Sequence, residues 1–461
     1  MSTLIKNGRI ITADEDYTAD IFIENETISL IEKNLTIEAD IIIDAKGKLV
    51  IPGGIDVHTH LDMPYRGITT SSDDFKSGTI AAAFGGTTTI IDFANQTKGK
   101  SLKEGLETWM KKADGKSVID YSFHMAVTDL VENWQQEMRE LANEGITSFK
   151  LFTAYPNDLM LDDGSIFKVM SESANLGTLI LMHAENGPVI DLIIEQMLSE
   201  GKVEPKYHAL SRPVAAEAEA TYRAIAISEM AGTPLYIVHL TCDDALKKVA
   251  EARSKGLPVF AETCPQYLYL SIDDISKPGF EGAKFVFSPP VREKFHQEKL
   301  WAGLKSNDLQ VAATDHCPFN FKGQKDLGKN DFTKIPNGGA GIENRLHLTF
   351  QGGVNEGRFS LNRWVDIIST TPAKLFGLYP QKGNISVGAD ADIVIWDPNT
   401  EHTISAETHH MNCDYSLYEG MKIKGNAETV LSRGEIIIAE DKFKGKTGRG
   451  NFVKRRMPVL G

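Results

Sequence analysis

The chain is predicted to be an α/β protein: a TIM-like (β/α)8 barrel flanked by a β-sandwich domain formed from both chain ends. Three observations carry that prediction. Eight short apolar, β-branched runs alternate with longer stretches of helical periodicity across the middle of the chain. Short strands with tight turns occupy the first fifty residues, and the same vocabulary returns beyond residue 380. No GxGxxG follows the first central strand, where an open doubly wound sheet would carry a phosphate loop.

The elements follow in order. TLIKNGRII, in which Asn7-Gly8 signals a turn, leads into ADIFIENETISLI and ADIIIDA. The barrel strands are LVIPGGIDVHTH, TTTIIDFA, YSFHMAV, SFKLF, LILMHAE, LYIVHLT, VFAETCP and VAATDHC, all apolar enough to be buried on both faces. SLKEGLETWMKKA, EMRELANEG and AEAEATYRAIAISEMAG read as helices between them. GADADIVIWDP and TVLSRGEIIIAED are strands again, so residues 1–50 and 380–440 are expected to form one discontinuous β-sandwich domain around a barrel of residues 51–379. Residues 441–461 end in GKTGRGNFVKRRMPVLG, a basic tail on an acidic chain, and are expected to be a solvated or partner-wrapping arm.

The chain has 461 residues, a hydrophobic fraction of 41% and a formal charge of −14, which exclude disorder and argue against a nucleic-acid groove or an anionic membrane as principal partner. MSTLIKNGRIITADEDY lacks a basic segment followed by a long apolar core, and no later run would span a bilayer, so a cytoplasmic location is expected. Cys242, Cys264, Cys317 and Cys413 form no CxxC pair; neither a disulfide framework nor a thiolate zinc site is expected.

Polar residues gather where barrel strands end. His58 and His60 close the first strand, Lys150 lies inside the fourth, His183 closes the fifth, His239 the sixth and Asp315 the eighth. A lone histidine in an apolar segment is ordinarily a hydrogen-bonded core residue. Four histidines and an aspartate at the same barrel ends need partners together, and divalent cations accept nitrogen and oxygen donors of this kind. Lys150 would be repelled by cations and desolvated, so its amine is expected to be neutral and to capture CO2 as a carbamate, able to bridge two metals.

GGIDVHTHLDMP, GITSFKLFTAY, LMHAEN, YIVHLTC, FSPPVR, TDHCPF and IPNGGAGIENR together resemble the cyclic amidohydrolases, on their D-hydantoinase and dihydropyrimidinase branch. The resemblance implies a binuclear centre: His58, His60 and Asp315 on one metal, His183 and His239 on the other, with Lys150 as N6-carboxylysine bridging both. Zinc is expected, although manganese or cobalt would suit the same donors. It also implies a homotetramer.

The implied reaction is hydrolytic ring opening, of 5-substituted hydantoins to N-carbamoyl-D-amino acids and of dihydropyrimidines to N-carbamoyl-β-amino acids. A metal-bridging hydroxide would attack the ring carbonyl. Tyr155 would stabilise the oxyanion, and Asp315 would carry the proton from water to the departing nitrogen. Main-chain groups at Ser288 and Asn337 would recognise the ureide. Met63, Tyr65, Phe152 and Leu159 are expected to shape a pocket for the ring substituent, with ordinary loop packing as the plain alternative.

Dihydroorotases carry an arginine two residues after the HxH pair; Asp62 stands there, so a neutral ring is favoured over an anionic one. An allantoinase-like ureide hydrolase and a non-catalytic scaffold protein are the remaining alternatives. Tyr155 weighs against the first, the full donor set against the second.

Overall fold

A computed structural model describes residues 2–460. Its centre is a parallel eight-stranded sheet: β1 (Gly54–Thr59), β2 (Thr87–Asn95), β3 (Asp120–Ala126), β4 (Ser148–Phe152), β5 (Leu179–His183), β6 (Leu235–Ile237), β7 (Val259–Thr263) and β8 (Val311–Ala312), each paired with its neighbour in sequence. The sheet closes beyond β8, where Thr59 bridges His316 and the His60 N–H donates to the His316 carbonyl at 2.8 Å. Apolar residues face both ways. Ile91, Phe93, Leu179, Leu181, Tyr236 and Val311 share one cluster inside the barrel, while Ile90, Phe149, Leu151, Ile180 and Ile237 pack outward in another.

Local chemistry explains the helices. In Leu102–Ala113 the Ser101 hydroxyl accepts the Glu104 N–H at 3.1 Å, Lys111 and Lys112 sit in the last turn, and Leu102, Leu106, Trp109 and Ala113 form the buried stripe.

Two barrel strands are shorter than their apolar runs. His239 and Asp315 adopt left-handed backbone, φ 41° and 52°, which ends extended pairing after Ile237 and Ala312. Both departures lie at the barrel mouth.

The chain ends together build a nine-stranded sheet; strands Ser2–Ile11 and Leu49–Pro52 join Ile393–Thr403 and Lys422–Ser432 across the termini. The sheet curls around Ile10, Ile21, Ile28, Val50, Ile393 and Leu431, and Thr27 at one edge bridges Asp390 ahead of Ile393. Asn7-Gly8 is a bulge within the first strand, not a turn. Asn7 takes φ 60°, and a Cβ on Gly8 would lie 2.4 Å from the Val50 side chain, so the strand kinks there without ending.

Barrel and flanking sheet are clasped by a buried ammonium. Lys382 Nζ lies 2.7 Å from Asp120, 2.9 Å from Asp390 and 2.7 Å from Asp392, filling an acidic cluster that would otherwise invite a cation.

The tail is not a free arm along its length. Lys442–Phe443 adds the last strand of the flanking sheet, and Val453 donates its N–H to the Tyr121 carbonyl at 2.7 Å. Arg455 is buried beneath β3 and β4, donating to Ser122 Oγ at 3.0 Å, Ser148 Oγ at 2.9 Å and the Phe123 carbonyl. The open end of an apolar barrel interior needs a cover, and this segment supplies it. Burial lowers the Arg455 pKa to about 9. Arg455→Met should therefore cost about 3 kcal/mol by stranding buried acceptors, seen as a lower thermal midpoint; an unchanged midpoint would show the tail to be merely laid on the surface. Among the described residues no helix is long and apolar enough to cross a membrane.

Candidate active site

His58 ends β1 with both ring nitrogens committed by position. Nδ1 is hydrogen-bonded to Glu262 of β7, which also accepts the Tyr236 hydroxyl at 2.8 Å and the His239 N–H at 3.1 Å. That contact turns Nε2 toward Asp315 Oδ1, 3.0 Å away, and His60 Nε2 lies 3.2 Å from the same oxygen. His58 Nε2 nevertheless makes no hydrogen bond of normal geometry. Asp92 supports the strand end from behind, accepting Thr59 Oγ1 at 2.7 Å and the Leu61 N–H at 2.9 Å; burial raises its pKa to about 7.

Across the mouth, His183 Nδ1 faces His239 Nε2 at 3.0 Å, and His183 Nε2 is held by Glu185 at 2.8 Å. His239 Nδ1 has no partner. Lys150 lies between the two groups of histidines in sheet order, 2% exposed, its Nζ over the rings of Phe93 and Phe152 at 5.0 and 5.2 Å.

Burial dominates the electrostatics. It lowers the Lys150 pKa to about 7, although Asp315 and Glu262 pull the other way. It lowers His60 and His183 too, and takes His239 well below the imidazole range. His58 goes against it: Glu262 and Asp315 outweigh desolvation and raise it to about 9. At Asp315 burial alone would raise the pKa, but His58, His60 and His239 hold the carboxylate well below its usual range. Burial, and behind it Glu185, push the Tyr155 phenol up, so it keeps its proton.

The donor set fits divalent cations. Imidazole nitrogens and a charged carboxylate converge, with spacings of 3.0 to 3.2 Å between facing atoms, and His58 Nε2 among them is buried without a hydrogen-bond partner. Tetrahedral zinc with bonds of ~2.0–2.1 Å spaces its donors by roughly 3.3 Å. Glu262 and Glu185 on the far nitrogens are the carboxylates that orient metal-binding imidazoles.

One cavity of about 420 Å³ gathers the residues singled out from the sequence. His58, His60, Lys150, His183, His239 and Asp315 form its floor; Tyr155, Ser288 and Asn337 stand at one side; Met63, Tyr65, Phe152 and Leu159 also line it. The Tyr155 turn is backbone-strained at φ 65°, and it packs so closely on Gly187 that a Cβ there would sit 2.7 Å from Ala154 Cα. Ser288 Oγ accepts from Asn337 Nδ2 at 3.1 Å, which joins two distant loops. Trp109, Lys112 and Cys317 line the same space, a position that no sequence pattern assigns to them. Glu262 and Glu185 also bear on the site; the sequence signal for Glu262 is an acid inside the apolar run VFAETCP.

Known proteins resemble this chain along almost its whole length. Residues 49–437 match the model of the amidohydrolase family. The chain is 54% identical to a D-hydantoinase from Geobacillus stearothermophilus, over 99% of this chain and 97% of that one. It is 52% identical to a D-hydantoinase from Streptomyces coelicolor, over 98% of each. A crystal structure of a dihydropyrimidinase from Brevibacillus agri superposes with a TM-score of 0.98 at 52% identity, over 99% of both chains. With the fold, the donor set and full-length similarity in agreement, the chain belongs to the amidohydrolase family, among its D-hydantoinases and dihydropyrimidinases.

Proposed function

We propose that the chain opens cyclic amides by hydrolysis, converting 5-substituted hydantoins to N-carbamoyl-D-amino acids and dihydropyrimidines to N-carbamoyl-β-amino acids. The observation that carries this reading is the convergence of four histidines, three of them buried, a charged aspartate and a buried lysine of lowered pKa on one cavity. His58, His60 and Asp315 would hold one divalent ion, and His183 and His239 a second. Lys150, its neutral amine adding CO2 with loss of one proton, would supply carbamate oxygens to these ions as N6-carboxylysine. Zinc suits the nitrogen and oxygen donors, as do manganese and cobalt. When bound, the ions supply the Lewis acidity that brings hydroxide within reach of neutral pH.

The chain's own residues do the rest. Asp315, ionised at rest, accepts the proton of the attacking water and delivers it to the ring nitrogen, which would otherwise leave as a poor amide anion. Tyr155, protonated, donates to the carbonyl oxygen as it gains charge. Main-chain groups at Ser288 and Asn337 orient the ureide, and Met63, Tyr65, Phe152 and Leu159 close around the substituent. Four buried free cysteines support a reducing, cytoplasmic setting. Exposed Val189, Leu192, Tyr222 and Met230 supply apolar surface for contacts between copies, consistent with a homotetramer.

The test is turnover followed in the ultraviolet on dihydrouracil and on a hydantoin series. The metal-replete chain opens both ring types, chelation removes the activity, and zinc with bicarbonate restores it. A metal-replete, carboxylated chain that opens neither ring would overturn the reading.

A further inference from the structure

Lys325 has no place in the chemistry above, yet it is fully buried. It lies in the excursion that follows β8, where its N–H donates to the Asn320 carbonyl at 2.9 Å. Its Nζ donates to three main-chain carbonyls: Val286 at 2.8 Å, Pro336 at 2.6 Å and Gly338 at 2.8 Å. An ammonium has three protons to give, so these acceptors use all of its capacity. Burial lowers its pKa to about 7, and three carbonyl dipoles directed at Nζ favour the charged form.

The acceptors belong to two loops far apart in sequence. One carries Ser288, two residues after Val286; the other carries Asn337, enclosed between Pro336 and Gly338. The loops also meet directly, Gly338 N–H to the Val286 carbonyl at 3.0 Å and Asn337 Nδ2 to Ser288 Oγ at 3.1 Å. Gly338, at φ 150°, lies so close to the segment after Asp315 that a Cβ would be 2.1 Å from the Cys317 carbonyl oxygen. The three strands of chain are thereby held in one register beside the cavity.

We propose that Lys325 is a positioning residue for substrate recognition, its ammonium tying the Ser288 and Asn337 loops together so that their main-chain groups meet the substrate's ureide at fixed spacing. This rests on the ring-opening reading. A filler role would be served better by an apolar side chain, because burying an ammonium without a carboxylate is costly and is tolerated where its hydrogen bonds specify an arrangement. The metal-ligating side chains are braced separately, by Glu262 and Glu185, so loosening the loops should affect binding before chemistry.

The experiment compares the wild-type enzyme with Lys325→Met, which is one atom shorter and loses every donor, and Lys325→Gln, which keeps two. For dihydrouracil, K325M should raise KM about tenfold or more with kcat within about threefold and metal content unchanged, and K325Q should fall between it and wild type. Amide exchange in segments 286–291 and 335–341 should quicken about tenfold in K325M, with segments around His58 and His183 unaffected. KM within about twofold of wild type, or a fall in kcat and metal content at constant KM, would overturn the proposal. Should K325M fail to fold, the KM of K325Q decides by the same criterion. The exchange measurement needs no turnover: an inactive wild type would defeat the ring-opening reading, while unchanged exchange would defeat the clamp.

Discussion

Lys150→Ala is expected to abolish ring opening, by about 10³-fold or more, equivalent to ~4 kcal/mol of transition-state stabilisation. Lys150 is buried on the cavity floor with its pKa lowered to about 7, so near neutrality much of it is an unprotonated amine able to hold CO2. On the proposed reading, alanine removes the carbamate between the two histidine groups and leaves a gap of several atoms. A small carboxylic acid such as acetate or propionate, filling the gap, should restore part of the rate. The same pKa sets a pH dependence. The neutral amine rises from roughly a tenth of the population at pH 6 to roughly nine-tenths at pH 8. Reactivation of metal-free wild type at fixed CO2 should quicken over that interval. Wild-type activity in K150A without added acid would remove the bridging role.

Asp315→Asn should be nearly as damaging, lowering kcat by about 10²–10⁴-fold, the range ascribed to general acid–base groups. Its carboxylate is held well below the ordinary range, since His58, His60 and His239 outweigh burial, so it rests as an anion ready to take a proton. Asparagine preserves shape and one oxygen donor but can neither accept nor return that proton. The comparison to make is kcat against metal content. Loss of rate with metal retained identifies proton transfer, whereas loss of both in parallel assigns Asp315 to metal binding alone. Substrates with better leaving nitrogens should suffer less in D315N, because they need less protonation in the transition state.

Much of this architecture was legible in one dimension. The eight barrel strands could be picked out because parallel strands buried on both faces are nearly continuous apolar runs, and His58, His60, His183 and Asp315 could be noticed because polar groups at the ends of such runs are conspicuous. Strand lengths were less legible. The runs LYIVHLT and VAATDHC extend past the last strand residue, and the left-handed backbone of His239 and Asp315 has no signature of glycine or asparagine to announce it. Asn7-Gly8 had the opposite fault, a turn signature realised as a bulge because the neighbouring strand packs against Gly8.

Strand periodicity and the side chains at strand ends were enough to predict the fold class and to point to a divalent-cation site, because both depend on local pattern and donor chemistry. Which partners hold those side chains came from the folded chain. Glu262 reaches His58 across 204 residues, Arg455 reaches Ser148 across 307, and Lys325 meets carbonyls of two loops that share no motif. Such contacts join a side chain to whatever barrel closure brings beside it, and no periodicity along the chain encodes that neighbour.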